Sequence, residues 1–330
     1  MKNRKLTVVM YHYVRDLKHA RYPDIKGLDI SLFREQIGYL KRNYNFVSVQ
    51  QVIDAFENNA ALPEHSVLLT FDDAYIDHFT YVFPILKKEN IYGAFYPPVK
   101  AIVEHLVLDV NKIHFILASS DNDSKMNSLL KEIRLLLETF QEEYKLKSYD
   151  EYFQKLAVPN RFDPKEVIFI KRLLQVELDE VLRKTITDIL FSKIAGVEEA
   201  CFCRELYMSI DQIRCLADCG MHIGSHGYNH YWLGSLPKEL QVYEIKKSIE
   251  FIEFVGGDVN NWTICYPYGN YNQETLSIIK EHGCKLGFTT VVDVASIDCT
   301  GDDIYKMPRL DTNDLPKDAL ATPDSWYYKS

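Results

Sequence analysis

The sequence predicts an α/β protein built on a mainly parallel sheet and interrupted by a helical insertion. Three observations carry this. Short apolar runs alternate with amphipathic helical segments from the start of the chain to Pro98. The same alternation resumes at Met221. Between Lys100 and Glu199 apolar residues recur at helical spacing only: Leu129, Ile133, Leu136 and Phe140, then Ile170, Leu174, Leu178 and Leu182, with no strand pattern between.

Taken in order, Leu6–Met10 reads as a strand, and Ser31 caps a helix to about Asn43 that sets Phe33, Ile37 and Leu40 on one face. Phe46–Val49 is a second strand, and Ser48 with Gln51 makes a capping box for a helix through Phe56. The apolar run from Val67 ends abruptly in Asp72 and Asp73. A helix from about His78 to Asn90 leads into the strand Tyr92–Tyr96, which Pro97 and Pro98 stop. Asp121–Ser124 is a loop within the insertion. His222 opens a strand that enters a glycine-bearing loop. Beyond it come a helix from about Lys238 to Phe254, an apolar strand from Thr263 that ends in a turn at Pro267-Tyr268-Gly269, a helix begun by Asn272, the strand Leu286–Thr290 and a short extended segment that Met307-Pro-Arg309-Leu-Asp311 follows. Residues 1–99 and 205–330 therefore form one α/β unit, and 100–204 the insertion.

With 330 residues, 47% of them hydrophobic and 26% charged, the composition is that of a globular chain. A formal charge of −9 argues against a nucleic-acid partner, because phosphates would be repelled over most of the surface. No apolar run approaches the roughly 20 residues needed to span a bilayer. The basic start at residues 1–5 precedes too short an apolar run to read as an export signal. Together with seven unevenly placed cysteines, this points to reduced thiols and a cytoplasmic location. Cys201, Cys203, Cys215 and Cys219 lack the C-x-x-C spacing of structural zinc sites.

Three motifs carry chemistry. Asp72 and Asp73 sit at the carboxyl end of a buried strand, where α/β folds place their active sites. Adjacent carboxylates repel, which favours one binding a cation while the other handles a proton, although an Asp pair can also simply cap the next helix. Strict alternation would point the two to opposite faces, so the chain must turn there for both to serve one site. His226 and His230, four residues apart, can meet one metal ion from a helix or a turning loop. One carboxylate and two neutral imidazoles leave coordination positions open, as in a hydrolytic site. The Pro267-Tyr268-Gly269 turn can aim a backbone N–H outward. Arg309, between apolar neighbours, needs a carboxylate partner if buried.

Thr-Phe-Asp72-Asp73, Ser-His226-x-x-x-His230 and Tyr-Pro-Tyr268-Gly, in this order, resemble the motifs of the polysaccharide deacetylase family of carbohydrate esterases, the NodB-homology type, over residues 5–99 and 205–312. The resemblance implies a distorted (β/α) barrel of about seven strands and a divalent metal, with Zn2+ the first expectation. It makes Asp72 the general base and Asp73, His226 and His230 the metal ligands, and it assigns the Tyr268 amide to the oxyanion. The usual late general-acid histidine is missing after His282; the strand ending in Tyr11-His12 resembles a subgroup in which His12 takes that role. Gly227 stands where the family has a hydroxyl residue, and Cys265 where it commonly has an arginine. Arg309 is the candidate to supply that cation and hold Asp72 ionised.

The implied activity is removal of an N-acetyl or related acyl group from an amino sugar, in a polysaccharide precursor, a glycolipid or a nucleotide sugar, with peripheral contact to a lipid-linked substrate as one option. Tyr75, Tyr228, Tyr231 and Trp232 are candidates to stack on the sugar. A C–N hydrolase acting on a small non-sugar amide, a non-catalytic sugar-binding module, and an assembly protein with a structural metal are the other readings.

Overall fold

A computed structural model describes residues 5–159 and 163–330. Most of the basic start lies outside them. The chain forms two compact units: one of the residues up to Asp16, Gly27–Leu106 and Arg204–Ser330, the other of Leu17–Lys26 and Val107–Cys203.

Among its described residues the first unit carries eleven strands: β1 Lys5–Tyr11, β2 Val14–Arg15, β3 Leu28–Asp29, β4 Asn45–Phe46, β5 Ser66–Asp72, β6 Gly93–Tyr96, β7 His222–Ile223, β8 Thr263–Cys265, β9 Leu286–Phe288, β10 Ala295–Ser296 and β11 Leu310–Asp311. β1 pairs in parallel with β5, β5 with β6, β6 with β7, β8 with β9, and β11 with β1. Single parallel bridges, Ser225 to Ile264 just past β7 and Phe288 to Met307 just before β11, supply the two missing links. The pairings thus run in a circuit of seven strands, β1–β5–β6–β7–β8–β9–β11 and back to β1. This is the distorted α/β barrel, thin where a link is one bridge. β4 adds to β5 beside the circuit, and β10 adds antiparallel to β1.

Every residue of β5 is buried, including both of its ends. A strand covered on both faces reads as one apolar run, which is why Val67–Phe71 shows no alternation. Inside lie Leu6, Val8, Leu68, Ala94, Leu286 and Phe288, all buried. Local signals set the helices. Ser48 and Gln51 cap each other's backbone as the sequence indicated, and because that helix begins at Val49, the expected strand Phe46–Val49 is cut to Asn45–Phe46. The helix over Ile30–Asn43 is capped by Asp29, not Ser31; the Ser31 amide and hydroxyl both donate to the Asp29 carboxylate. After the Asp pair the backbone takes a π-helical turn at His78–Val82 before the α-helix Phe83–Glu89, which stops at left-handed Asn90.

The second unit has no strand among its described residues. Its helices include Asp109–Ala118, Asp123–Tyr144, Tyr149–Leu156, Lys165–Arg172 and Glu180–Leu190. The Asp121–Ser124 loop is shorter than expected, because the Asn122 side chain caps a helix that starts at Asp123. Tyr22, from the Leu17–Lys26 segment, packs edge-on against Phe115 and Phe202 and ties that segment to the helices. No helix among the described residues is long and apolar enough to cross a membrane.

Candidate active site

The site lies in the barrel unit, at the carboxyl ends of its strands. β5 delivers Asp72, and the next two residues turn sharply: Asp73 and Ala74 both adopt left-handed conformations, with φ of 70° and 51°. That turn meets the demand of the adjacent carboxylates, since extended alternation is broken at the second one. The Asp73 amide donates to the Tyr96 carbonyl, 3.1 Å, which anchors the turn to β6.

His226 and His230 come from the loop after β7. Gly227 is left-handed, with φ 72°, and a Cβ there would come 3.1 Å from Glu244 Oε2. The loop folds over that carboxylate: the amides of Tyr228 and Asn229 each donate to Glu244 Oε2 at 2.8 Å. The departure to glycine at 227 follows from this close approach. His226 donates through Nδ1 to the Cys265 carbonyl, 2.7 Å, which turns its Nε2 inward.

Three ligand atoms then converge. His226 Nε2 and His230 Nε2 are 3.2 Å apart, and Asp73 Oδ1 is 3.5 Å from the first and 3.3 Å from the second. Tetrahedral bonds of 2.0–2.1 Å to nitrogen or oxygen set ligands about 3.3–3.4 Å apart, so the triangle fits a four-coordinate ion with a fourth position left over. The chemistry of the donors agrees. Asp73 Oδ1 is buried without a hydrogen-bond partner, and two imidazole nitrogens face it. Burial alone would raise the Asp73 pKa, but the two imidazoles hold it well below the carboxylate range. Burial pushes His230 down to about 3, so its imidazole is neutral at neutral pH; burial acts on His226 too, but Asp73 and Asp72 hold its pKa above the usual value.

Asp72 makes a different set of contacts. Arg309, 1% exposed and one residue before β11, grips it with two nitrogens: Nη1 to Oδ1 at 3.0 Å and Nη2 to Oδ2 at 2.8 Å. The guanidinium is itself fixed by the Thr289 carbonyl, the Thr70 hydroxyl and the Cys265 sulfur. Cys265 stands where the resemblance led us to expect an arginine, and Arg309 brings its charge to that sulfur from another strand. Burial raises the Asp72 pKa, and Arg309 more than reverses it, down to about 2. His12, directly after β1, places Nε2 3.9 Å from Asp72 Oδ2 and keeps 41% of its side chain exposed. Tyr268 is left-handed, with φ 57°, and its ring stacks on Trp232 with centroids 4.5 Å apart, beside His230.

Residues 192–287 match the family model for polysaccharide deacetylase. Poly-β-1,6-N-acetyl-D-glucosamine N-deacetylase of Escherichia coli (strain K12) is 39% identical over 80 residues, 24% of this chain. Over this stretch the chain is similar to the polysaccharide deacetylase family. The match reaches only 12% of the length of that E. coli relative. Two solved structures share the fold along nearly the whole chain. The deacetylase PplD of Streptococcus pyogenes has a TM-score of 0.55 at 18% identity, covering 94% of this chain and 93% of its own. IcaB of Ammonifex degensii has a TM-score of 0.54 at 19% identity, covering 98% and 95%.

The deacetylase family model spans His226, His230 and Tyr268 but neither Asp72 nor His12, so it is the barrel closure that joins the site. Of the aromatics expected on a sugar, Tyr75 is excluded because it is fully buried, while Trp232 and Tyr228 keep part of their surface. Sequence reasoning missed Glu244, a lone acid on an amphipathic helix, and His78, whose Nε2 bonds the His12 carbonyl at 2.7 Å. Neither carries a spacing signal, since both act across the fold.

Proposed function

We propose that this chain is a metal-dependent hydrolase that removes an N-acetyl group from an amino sugar of a polysaccharide or its precursor. The observation that carries the reading is the triangle of Asp73 Oδ1, His226 Nε2 and His230 Nε2 beside an Asp72 that Arg309 keeps ionised. A divalent ion held by those three, zinc being the expectation from the donor set, would supply Lewis acidity toward the acyl oxygen and lower the pKa of a water.

The other groups follow from their positions. Asp72 Oδ2 accepts a proton from the attacking water. A carboxylate with a pKa of about 2 is a weak base, so it must pass that proton on. His12 Nε2, 3.9 Å away and open to solvent, takes it over and delivers it to the departing amine. The Tyr268 amide donates to the developing oxyanion, a contact worth about 3–4 kcal/mol in comparable sites. Trp232, stacked on Tyr268, offers a flat apolar edge for the sugar.

The test is metal content together with acetate release from N-acetylglucosamine oligomers, nucleotide-linked and lipid-linked forms. Near-stoichiometric metal that is lost in His226→Ala/His230→Ala, with acetate from one substrate class, is the expected result. Absence of bound metal under every loading condition overturns the reading.

A further inference from the structure

Asp73 uses its two carboxylate oxygens differently. Oδ1 faces the imidazoles and has no hydrogen-bond partner, while Oδ2 accepts from the Tyr75 hydroxyl at 2.8 Å. Tyr75 is fully buried, and two rings lie nearly parallel to its own: Tyr13 at 4.0 Å and 19°, and Tyr207 at 6.1 Å and 12°. The backbone fixes it as well. Tyr75 bridges antiparallel to Tyr207, and the amide of Met208 donates to the Ala74 carbonyl at 2.9 Å. The Asp73 carboxylate can only accept, so the phenol is the donor in this contact.

We propose that Tyr75 is a positioning residue for metal binding: by occupying Asp73 Oδ2 it presents Oδ1 as a single, pre-aimed ligand. The inference rests on the metal-site reading above and assigns a role within it. A carboxylate can rotate about its Cβ–Cγ bond and exchange its oxygens. A hydrogen bond from a buried ring removes that freedom before the ion arrives, and loss of such an outer contact weakens metal affinity by about 10–100-fold. The left-handed pair Asp73–Ala74 is what carries the chain back so that residue 75 lies under residue 73.

The test is Tyr75→Phe, which removes one oxygen and keeps the ring. Zn2+ and Co2+ affinities are measured by calorimetry on metal-stripped protein, with the Co2+ absorption spectrum and the thermal unfolding of both apo forms. The expected result is metal binding weakened about 10–100-fold, a changed Co2+ spectrum, and activity that recovers when metal is raised. Equal affinity and an unchanged spectrum in Tyr75→Phe, with tight binding in the wild type, overturn the role of Tyr75 alone. A wild type that binds neither ion, or a His226→Ala variant that binds as well as wild type, sinks the metal site itself. A lower apo melting temperature with unchanged metal affinity shows a packing role and also overturns the proposal.

Discussion

Both units bury charge, and they do so in opposite ways. In the helical unit Lys112, 1% exposed, meets Asp188 at 2.5 Å and Glu199 at 2.8 Å, and buried Asp163 accepts from Lys26 and Lys171. Each buried charge there is answered by two of the opposite sign. In the barrel unit Arg309 answers Asp72, but Asp73 Oδ1 is left facing two imidazoles with no donor of its own. Full ion pairs hold a fold together; converging ligand atoms without a donor at Oδ1 form a triangle that could hold a cation. The backbone shows the same contrast. Left-handed Asp73, Ala74, His230 and Tyr268 lie at the site, whereas Asn90 and Lys145 take the same conformation as ordinary helix ends.

The hardest break of this contrast is Arg309→Ala. It leaves Asp72 buried without its partner and should cost about 3–5 kcal/mol of stability, along with nearly all activity. Urea unfolding and acetate release read both; an enzyme with unchanged activity would remove the role given to Arg309.

Acid should strike the barrel unit next. Burial lowers the His78 pKa from 6.5 to about 4, so between those values the unfolded chain binds a proton that the folded chain refuses. Stability should fall on acidification from pH 6.5 to 4, by up to roughly 3 kcal/mol from this residue. The Asp72 ion pair adds a later loss, as pH drops from 3.8 towards 2. Unfolding midpoints across this range in the presence of a chelator check the slope, and a His78→Phe protein should show a shallower one.

Lys112→Met tests the other side. Asp188 and Glu199 keep 37% and 36% of their side chains exposed, so the stranded acids can rehydrate, and the loss should be smaller, about 1–3 kcal/mol. Metal affinity should not change; a change there would show that the two networks are coupled. Asp73→Asn should do the reverse for the metal, abolishing its binding, and should cost the apo protein about 1–3 kcal/mol, because the imidazoles and the Tyr75 hydroxyl lose the carboxylate that they favour. The smallest expected change is Ala74→Gly, a gain of up to about 1 kcal/mol from relief of the φ of 51°, visible as a higher melting temperature.

Much of the fold was readable along the chain. The capping box at Ser48, the helix start at Asn272, the unbroken apolar run into Asp72 and the helical spacing through Leu129–Phe140 are local patterns, and local patterns act over a few residues. Where one local signal overrode another, boundaries moved, as when the Ser48 cap shortened the strand before it. The residue types of the site were readable for the same reason: paired carboxylates at a strand end and imidazoles four apart announce cation chemistry before any fold is known.

What those residues touch was decided elsewhere. Arg309 lies 237 positions from Asp72, and no spacing rule spans that distance; the two meet because β11 closes the circuit against β1, which sets its neighbour β5 within reach. Tyr75 offered itself in sequence as a surface for sugar, and burial beside Tyr13 and Tyr207 turned it into a support for Asp73. A single chain of residues encodes chemistry and short-range geometry directly, whereas partner choice between distant segments depends on which surfaces become buried together. The residues that converge were therefore legible in sequence, and their orientation was a property of the closed barrel.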